Sequence, residues 1–399
     1  MNPKEKRRLT PRLRFPEFRD AGEWGKKKLG EIGDVLMCKR IFAEETNGIE
    51  GVPFFKIGTL GSKPDAFISR KLFDEYKSKY NFPRKGEILI TCSGTVGKCL
   101  PYDGNDAYYQ DSNIVWIDNP TLEVSNEFLY DILLNVDWGR LNSTTITRIY
   151  GSDLRNLSIT FPTNQNEQQK IADCLTSLDA LIAAHTQKLA VLRTYKQGLL
   201  QQLFPAEGET LPRLRFPEFR DAPEWEENPL ELICNMQAGQ FVAASDISEQ
   251  YVDGLYPCYG GNGLRGYTRT FTHSGTYPLI GRQGALCGNI KLGTGQFHAT
   301  EHAVVVIPKD KIDVKWLFYD LVNLNLNQYA TGQAQPGLSV AVLEKVCTVI
   351  PANIQEQRKI ADCLTALDAL IAAQTQKLAA LAAHKKGLLQ QLFPAPDAG

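Results

Sequence analysis

Leucine and isoleucine recur at alternating steps of four and three residues along two stretches, 167–205 and 356–394. A period of 3.5 residues is typical of a coiled-coil seam, so we predict two long helices that pair with each other. His185 and Gln374 interrupt the seam at matching points, where a polar residue can set the register at some cost in stability. The predicted seam positions are Ile171, Leu175, Leu178, Ile182, His185, Leu189, Leu192 and Leu199, and then Ile360, Leu364, Leu367, Ile371, Gln374, Leu378, Leu381 and Leu388.

The two seam stretches are copies of one another. Aligned without a gap, 31 of their 39 positions are identical at an offset of 189 residues. A second repeat, PRLRFPEFRDAGEW at 11–24, returns as PRLRFPEFRDAPEW at 212–225 with one change. The chain is therefore a tandem duplication of an arm, a variable segment and a long helix. We predict an arm at 1–24, a variable domain at 25–161, a helix at 165–204, a linker with the repeated arm at 205–225, a second variable domain at 226–351 and a helix at 355–393.

Each variable segment mixes short β-like runs with one helical stretch, which predicts mixed α/β domains. Leu89–Gly94 aligns with Leu279–Gly284, and Gln110–Asn113 aligns with Ala299–His302. The two segments are therefore expected to share a scaffold and to differ in surface chemistry. The runs are 52–57, 87–91 and 113–117 with a helix at 126–134, and then 277–280 and 303–307 with a helix near 314–322.

Composition is that of an ordinary globular protein with a formal net charge of −1. Neither variable segment is basic overall, so a DNA partner would require basic groups that cluster in space or positive surface from another subunit. No apolar run reaches 18 residues, which predicts no membrane span. Nine scattered cysteines without a C-x-x-C pair favour a reducing compartment, the cytoplasm. The five histidines form no zinc pattern, so we expect no metal site.

A search for catalytic motifs finds none that is convincing. Gly94–Lys98 is too short for a phosphate-binding loop and is followed by Cys99. Pro64-Asp65 with Glu75-Tyr-Lys77 formally matches a nuclease pattern of a kind that is frequent by chance. We therefore predict no catalytic residue in this chain. A stand-alone nuclease or methyltransferase remains an alternative, and so does a coiled-coil scaffold without any DNA role.

The Gly-rich polar loops of the variable segments are the candidate DNA-binding sites. Gln and Asn can pair with adenine, Arg with guanine and Glu with cytosine, while Ser, Thr and Lys serve phosphates. Ordinary solvated turns are the alternative for each residue taken singly. The candidates are Ser93, Gly94, Thr95, Lys98, Tyr108, Tyr109, Gln110, Asn113, Thr144, Thr145, Arg148 and Tyr150 in the first segment, and Tyr259, Asn262, Arg265, Tyr267, Arg269, Arg282, Gln283, Thr300, Glu301, His302, Gln333 and Gln335 in the second.

The repeated arms and the helix starts NEQQKIADCL and IQEQRKIADCL, each after Pro162 or Pro351, resemble the specificity subunits of type I restriction–modification systems. The resemblance covers nearly the whole chain. It implies two homologous α/β target recognition domains in a pseudo-two-fold repeat, separated by two helices that form an antiparallel coiled coil. Each domain would read one half of a bipartite, asymmetric double-stranded DNA site, and the coiled coil would set the spacing.

The same resemblance implies partners and cofactors that this chain does not itself carry. Two modification subunits would dock on it and bring S-adenosylmethionine, and restriction subunits would add ATP- and Mg-dependent translocation and cleavage. The resemblance does not say which residues touch bases, because the recognition domains vary most.

One polar set on the first helix recurs on the second and is a candidate docking face for the two modification subunits. Recent duplication is the alternative explanation for the repetition. The set is Lys170, Asp173, Thr176, Asp179, Gln187 and Lys188, which recurs as Lys359, Asp362, Thr365, Asp368, Gln376 and Lys377.

Overall fold

The computed structural model describes residues 9–141, 148–284, 286–332 and 336–394. Its contacts divide the chain into two compact units. Unit 1 holds the chain up to Ala184 and again from Leu378 onward, and unit 2 holds His185–Lys377. Each unit therefore contains one variable segment together with a part of each long helix.

The first half of the chain alternates short strands and short helices before one long helix. Three-residue and four-residue 3-10 helices also occur at Pro16–Phe18, Ala43–Glu45 and Trp138–Leu141. The elements are β1 (Gly25–Lys28), α1 (Leu29–Ile32), β2 (Asp34–Leu36), β3 (Thr46–Asn47), β4 (Val52–Phe55), β5 (Phe67–Ile68), α2 (Arg70–Lys79), β6 (Ile88–Thr91), β7 (Cys99–Pro101), β8 (Tyr108–Tyr109), β9 (Ile114–Asp118), α3 (Asn126–Leu134), α4 (Gly151–Asn156), β10 (Ser158–Phe161) and α5 (Gln165–Leu203).

The second half repeats this order at its two ends, but in the middle its described residues have longer strands and no counterpart of α2. Its 3-10 helices lie at Pro217–Phe219, Ala244–Asp246 and Leu326–Tyr329. The elements are β11 (Glu226–Pro229), α6 (Leu230–Ile233), β12 (Cys234–Ala238), β13 (Tyr256–Gly260), β14 (Gly263–Thr268), β15 (His273–Gly281), β16 (Ile290–Ala299), β17 (Ala303–Pro308), α7 (Val314–Asn323), α8 (Val340–Leu343), β18 (Cys347–Ile350) and α9 (Ile354–Leu392).

The sheets show what the two units share and where they differ. In each unit the strand after the arm pairs antiparallel with the strand before a long helix, β1 with β10 and β11 with β18. Unit 1 then has two four-stranded sheets, ordered β2-β9-β6-β7 and β3-β5-β4-β8. Unit 2 has one six-stranded sheet, ordered β12-β17-β15-β16-β13-β14. The prediction of mixed α/β domains on a common scaffold is confirmed, and the divergence lies in the middle of each domain.

The long helices pair antiparallel within each unit. In unit 2, Lys196 Nζ lies 2.6 Å from Asp368 Oδ1, and Gln374 Nε2 lies 2.6 Å from Nδ1 of His185. Gln374 also donates to the backbone oxygen of His185 at 3.0 Å, so the two polar seam residues contact each other. In unit 1 the matching ion pair joins Lys385 and Asp179 at 2.5 Å. All the predicted seam positions are buried or half-buried.

The repeated polar set of the helices is not the free outward face that we expected. Asp179 and Asp368 cross the seam to the lysines described above. Lys170 contacts Glu17 of the arm at 3.4 Å, and Lys359 contacts Glu218 at 3.1 Å. The exposed members that could still receive a partner are Asp173, Thr176, Gln187 and Lys188, and then Asp362, Gln376 and Lys377.

In each unit, one buried carboxylate binds two residues of the repeated arm. Arg14 donates from Nε and Nη2 to the two oxygens of Glu167, at 2.6 and 2.7 Å. Trp24 Nε1 donates to the same carboxylate at 3.3 Å, and the Glu167 side chain is fully buried. In unit 2, Arg215 and Trp225 contact Glu356 in the same way. The arm is therefore bound to the start of the long helix by charge-assisted hydrogen bonds, which are stronger than neutral ones.

The Leu-Phe-Pro end of each long helix is part of a domain core. In unit 1, Phe393 stacks on Phe128 of α3 with ring centroids 5.4 Å apart. In unit 2, Phe204 stacks on Trp316 of α7 at 6.0 Å. Each core is thus completed by the helix of the other repeat, because α9 ends in unit 1 and α5 ends in unit 2. Burying these rings stabilises each core by about 2 kcal/mol or more per ring.

A buried carboxyl on α3 makes the stability of unit 1 depend on pH. Burial raises the pKa of Asp131 to about 7, Lys385 opposes that rise and Asp179 adds to it. The folded protein therefore holds this proton more tightly than the unfolded chain, whose carboxyl titrates near pH 4. The associated stability is complete below about pH 4 and is lost as pH rises to about 7, a loss of roughly 4 kcal/mol.

Asp131→Asn is expected to remove this pH-dependent loss. The variant should unfold at a higher urea concentration than the unsubstituted chain at pH 8, and the difference should shrink at pH 4.5. Urea titrations at the two pH values measure it, with Asp173→Asn on the exposed surface of α5 as the control. A difference of equal size at both pH values would show that the carboxyl is ionised in the folded protein.

Candidate nucleic-acid interface

Three loops meet at the end of β6 in unit 1. The backbone N–H of Cys92 donates to the carbonyl of Asn113 at 2.8 Å, and Ile149 donates to the carbonyl of Cys92 at 2.8 Å. These two bonds bring the loop after β6, the loop before β9 and the segment before α4 to one place. A backbone bridge between Ser93 and Arg148 continues the same contact. The predicted candidates of three separate loops therefore share one site.

Unit 2 builds the same frame with different side chains. Arg282 takes the place of Cys92, and its N–H donates to the carbonyl of His302 at 3.1 Å. Leu338 donates to the carbonyl of Arg282 at 2.9 Å, which matches the bond from Ile149 in unit 1. Gly94 and Gly284 follow at matched positions with φ of +65° and +81°, a region that favours glycine. The turn is common to both units, and the side chains that it presents differ.

In unit 1 the site combines hydroxyl, amide and guanidinium groups. Ser93 Oγ lies 2.7 Å from Asn113 Oδ1, and the Arg148 guanidinium lies over the ring of Tyr150, 5.7 Å from its centroid. Within the part of the chain that the structure describes, Arg148 Nε and Gln110 Oε1 are buried without a hydrogen-bond partner. A buried donor or acceptor that lacks a partner requires an explanation, and a bound ligand that supplies one is such an explanation.

In unit 2 a cavity of about 600 Å³ brings together four of the predicted residues, Asn262, Arg265, Gln283 and His302. Its neighbours Glu301 and His302 contact each other at 3.2 Å between Oε1 and Nε2. Among the described residues, three polar atoms of this region are buried without a partner: Arg282 Nε, Glu301 Oε2 and His302 Nδ1. The site of unit 2 therefore offers both an unpaired hydrogen-bond donor, on Arg282, and an unpaired acceptor, on Glu301.

Some predicted residues lie elsewhere. Tyr108 and Tyr109 form β8, and their rings are buried in an aromatic core with Phe73, Phe82 and Tyr102. A ring in the core cannot stack on a base, so we withdraw these two from the candidate set. Thr300 is also fully buried and accepts from the N–H of His302, so its role is to shape the turn.

The remaining predicted residues lie in different environments. Lys98 donates from Nζ to the carbonyl of Leu60, although it remains exposed. Tyr267 and Arg269 line a different cavity of about 890 Å³, and Tyr259 packs its ring against Phe297 at 5.6 Å. Thr95 is exposed at the tip of the loop after β6. The candidates Thr144, Thr145, Gln333 and Gln335 lie outside the described residues.

Two exposed leucines at the unit 2 cavity were not among the predicted residues. Leu264 and Leu286 line it with 54% and 50% of their surface exposed. Apolar side chains can contact the thymine methyl group in the major groove. In the sequence, each is a single leucine close to glycines in a polar loop. Such a leucine cannot be distinguished from a core residue without the structure.

The three charged residues of the formal nuclease pattern do not form one site. Asp65 pairs with Lys56, Glu75 pairs with Lys79 and Lys77 pairs with Asp106, so the three residues have separate partners. No group of three or more His, Cys, Asp or Glu side chains among the described residues could hold a metal ion. A search of the same residues finds no helix long and apolar enough to cross a membrane.

Two α/β domains with one loop frame and different loop chemistry, joined by long helices, define a protein with two recognition domains. A model of the type I restriction–modification DNA specificity domain matches the chain twice, at 21–194 and 223–383. The EcoprrI specificity subunit of Escherichia coli is 32% identical over 366 residues, which are 88% of this chain and 84% of that one. A Haemophilus influenzae relative is 45% identical over 162 residues, and the chain spans only 42% of its length.

Solved structures agree on the fold. A crystal structure of the S subunit of a type I restriction–modification system from M. genitalium matches with a TM-score of 0.70 and 21% identity. The match covers 98% of this chain and all of that one. A second structure, concerned with complex assembly of the type I system, matches with a TM-score of 0.54 and 17% identity over 93% of this chain. The chain belongs to the type I restriction–modification DNA specificity family.

Proposed function

We propose that each recognition domain reads one half of a bipartite, asymmetric double-stranded DNA sequence. The observation that carries this proposal is the shared loop frame with divergent side chains, Ser93 beside the buried Cys92 in unit 1 against Gln283 beside the half-buried Arg282 in unit 2. A common frame presents the loops to DNA in one manner, and different side chains select different base edges. Two identical sites would instead favour a symmetric sequence.

Unpaired polar atoms at both sites support base reading. Arg282 can pair with guanine through two N–H groups, and a carboxylate such as Glu301 can accept from cytosine. Their unpaired atoms would gain partners in a DNA groove, where base edges supply donors and acceptors in a sequence-dependent pattern. The same argument applies to Arg148 and Gln110 in unit 1.

We further propose that the chain acts in the cytoplasm, within a larger assembly, and has no catalysis of its own. Two modification subunits would bind S-adenosylmethionine and methylate adenine, and restriction subunits would use ATP and Mg. The repeated exposed surfaces of the arms and helices support one docking site in each unit. The long helices would set the number of unread base pairs between the half-sites.

Arg282→Ala is expected to relax the sequence requirement at one base pair of one half-site. A bidentate contact to guanine contributes about 1–3 kcal/mol of discrimination, so preference at that position should fall by roughly 10- to 100-fold. Methylome sequencing of cells that express the variant together with its modification subunits measures this preference.

Arg148→Ala in unit 1 is the matched control and should alter the other half-site only. Relaxation of the same base pair by both variants would contradict separate reading by the two domains. Uniform weakening with a reduced salt dependence would instead identify the arginine as a phosphate contact.

A further inference from the structure

Unit 2 contains a cavity of about 380 Å³ that lies apart from the loop site. It is bordered by the residues that follow α5, by the end of α7 and by the strand pair β11–β18. Its polar lining residues are Glu207, Glu227, Asp320, Asn323, Asn325, Gln328 and Thr348, with Tyr329 and Cys347 beside them.

The ionisable side chains that line this cavity are mainly carboxyl groups. Three carboxyl groups and three amides line it, and none of its lining residues that the structure describes is Lys or Arg. Glu207 and Glu227 are exposed, whereas Asp320 is 2% exposed. The cavity thus combines two acidic groups open to solvent with one that is deeply buried.

Asp320 is only half satisfied. Its Oδ1 accepts from the Thr348 hydroxyl at 2.8 Å, while Oδ2 is buried with no partner among the described residues. Burial raises the pKa of Asp320 to about 7, because the charged form lacks solvation. A cationic donor that entered the cavity would supply both the missing hydrogen bond and the opposite charge.

The matched region of unit 1 has a different lining. Ile132 occupies the place of Asp320, seven residues after the N-cap of its helix in each case, and the strand pair also differs where the cavity would lie. Lys26 stands at the register position of Glu227, and Ile159 stands at that of Thr348. The acidic cavity is therefore a property of unit 2, and a docking role common to both repeats does not account for it.

We propose that this cavity binds an organic cation, a guanidinium or alkylammonium group, with Asp320 at its base and Glu207 and Glu227 at its rim. The source of that group is either an arginine or lysine side chain of a partner subunit or a small free amine. The proposal does not depend on the base-reading function, because no residue of the loop site lines this cavity.

The alkylation rate of Cys347 can report whether the cavity is occupied, because Cys347 lines the cavity and is exposed. The full-length chain is alkylated with iodoacetamide, and modification of Cys347 is followed by mass spectrometry. The probe is butylguanidinium, and its uncharged isostere butylurea is the control ligand. Butylguanidinium should slow alkylation by about threefold at twice its Kd, since the unoccupied fraction falls as 1/(1 + [L]/Kd). Butylurea should not slow it.

Three variants test the assignment. Asp320→Asn and Glu227→Gln should each abolish the protection, and Asp131→Asn should leave it intact. Two variants at separate positions keep the test valid should one of them fail to fold, which circular dichroism reports. Equal protection of Cys347 in the unsubstituted chain and in both cavity variants, or equal protection by butylurea, would overturn the proposal.

The complex with modification subunits distinguishes the two sources of the cation. If a partner side chain occupies the cavity, Cys347 is protected in the complex, and Asp320→Asn restores its alkylation. If a free amine is the ligand, Cys347 stays reactive in the complex and butylguanidinium still protects it. Protection in the complex that Asp320→Asn does not relieve would show that Cys347 is merely covered, and would exclude the partner side chain.

Discussion

Glu167→Gln is expected to destabilise unit 1 by about 3 kcal/mol, because it removes the charge that an arginine and a tryptophan share in the interior. The carboxylate accepts two hydrogen bonds from Arg14 and one from Trp24, and its side chain is fully buried. The substituted amide would keep the shape of the carboxylate but would present an N–H₂ group to donors, so at least one contact becomes repulsive. Arg14 would keep its bonds to the carbonyls of Ala21 and Gly22 and at most one of its two bonds to the side chain at 167.

Hydrogen exchange with mass spectrometry is the suitable measurement, because it resolves unit 1 from unit 2 in one experiment. Protection should fall at 165–184 and in the arm, and should be unchanged at 354–377. Glu356→Gln is the matched variant, with the opposite distribution expected from its contacts with Arg215 and Trp225.

Glu17→Gln is the control, because Glu17 pairs with Lys170 on the surface and should leave protection nearly unchanged. If Glu167→Gln and Glu17→Gln had equal effects, the buried carboxylate would not be what binds the arm to the helix. The near-identity of the two arms would then require another cause, such as docking of a partner.

Removal of one heptad from each long helix, at positions opposite one another, is expected to shorten the unread spacer by about three base pairs. Each helix has 39 residues and is about 58 Å long at 1.5 Å per residue. Seven residues correspond to about 10 Å, and one base pair occupies about 3.4 Å. A whole heptad keeps the seam in phase, whereas four residues would rotate it out of register.

Methylome sequencing with the modification subunits present measures the spacer and the half-sites together. Both half-sites should be unchanged, since the loop sites lie outside the helices. Removal of the heptad from one helix alone is the control and should destabilise the protein, because the paired seams no longer match in length. An unchanged spacer with altered half-sites would contradict the role of the helices in setting the distance.

Much of the fold follows from local patterns. The seam period indicated two long helices, and the helix predicted at 126–134 has those bounds in the structure. The order of the repeats indicated two homologous domains before any contact was known. These features are local or repeated, so the side-chain pattern along the chain is sufficient to predict them.

The pairing of the central strands of unit 2 could not be predicted from local patterns. The pairing of β13 with β16 is parallel, and β14 joins the sheet edge through β13 alone. Short apolar runs do not specify which distant run they pair with, because the partner is chosen by the packing of the whole sheet. The same limit explains why Tyr108 and Tyr109 were predicted to contact DNA. Their neighbouring polar residues suggested a surface loop, but their rings are buried in a core.

The sequence by itself determined that this protein is a duplicated chain with two long paired helices, two α/β domains and no recognisable catalytic motif. Only the tertiary structure decided what the repeated residues do. Arg14 and Glu167 lie 153 positions apart, and Phe393 completes a core that begins at Trp24. Periodicity shows which face of a helix is apolar, but burial and charge pairing depend on contacts between distant segments. For that reason the buried carboxylates, the half-satisfied Asp320 and the shared loop frame emerged only from the folded chain.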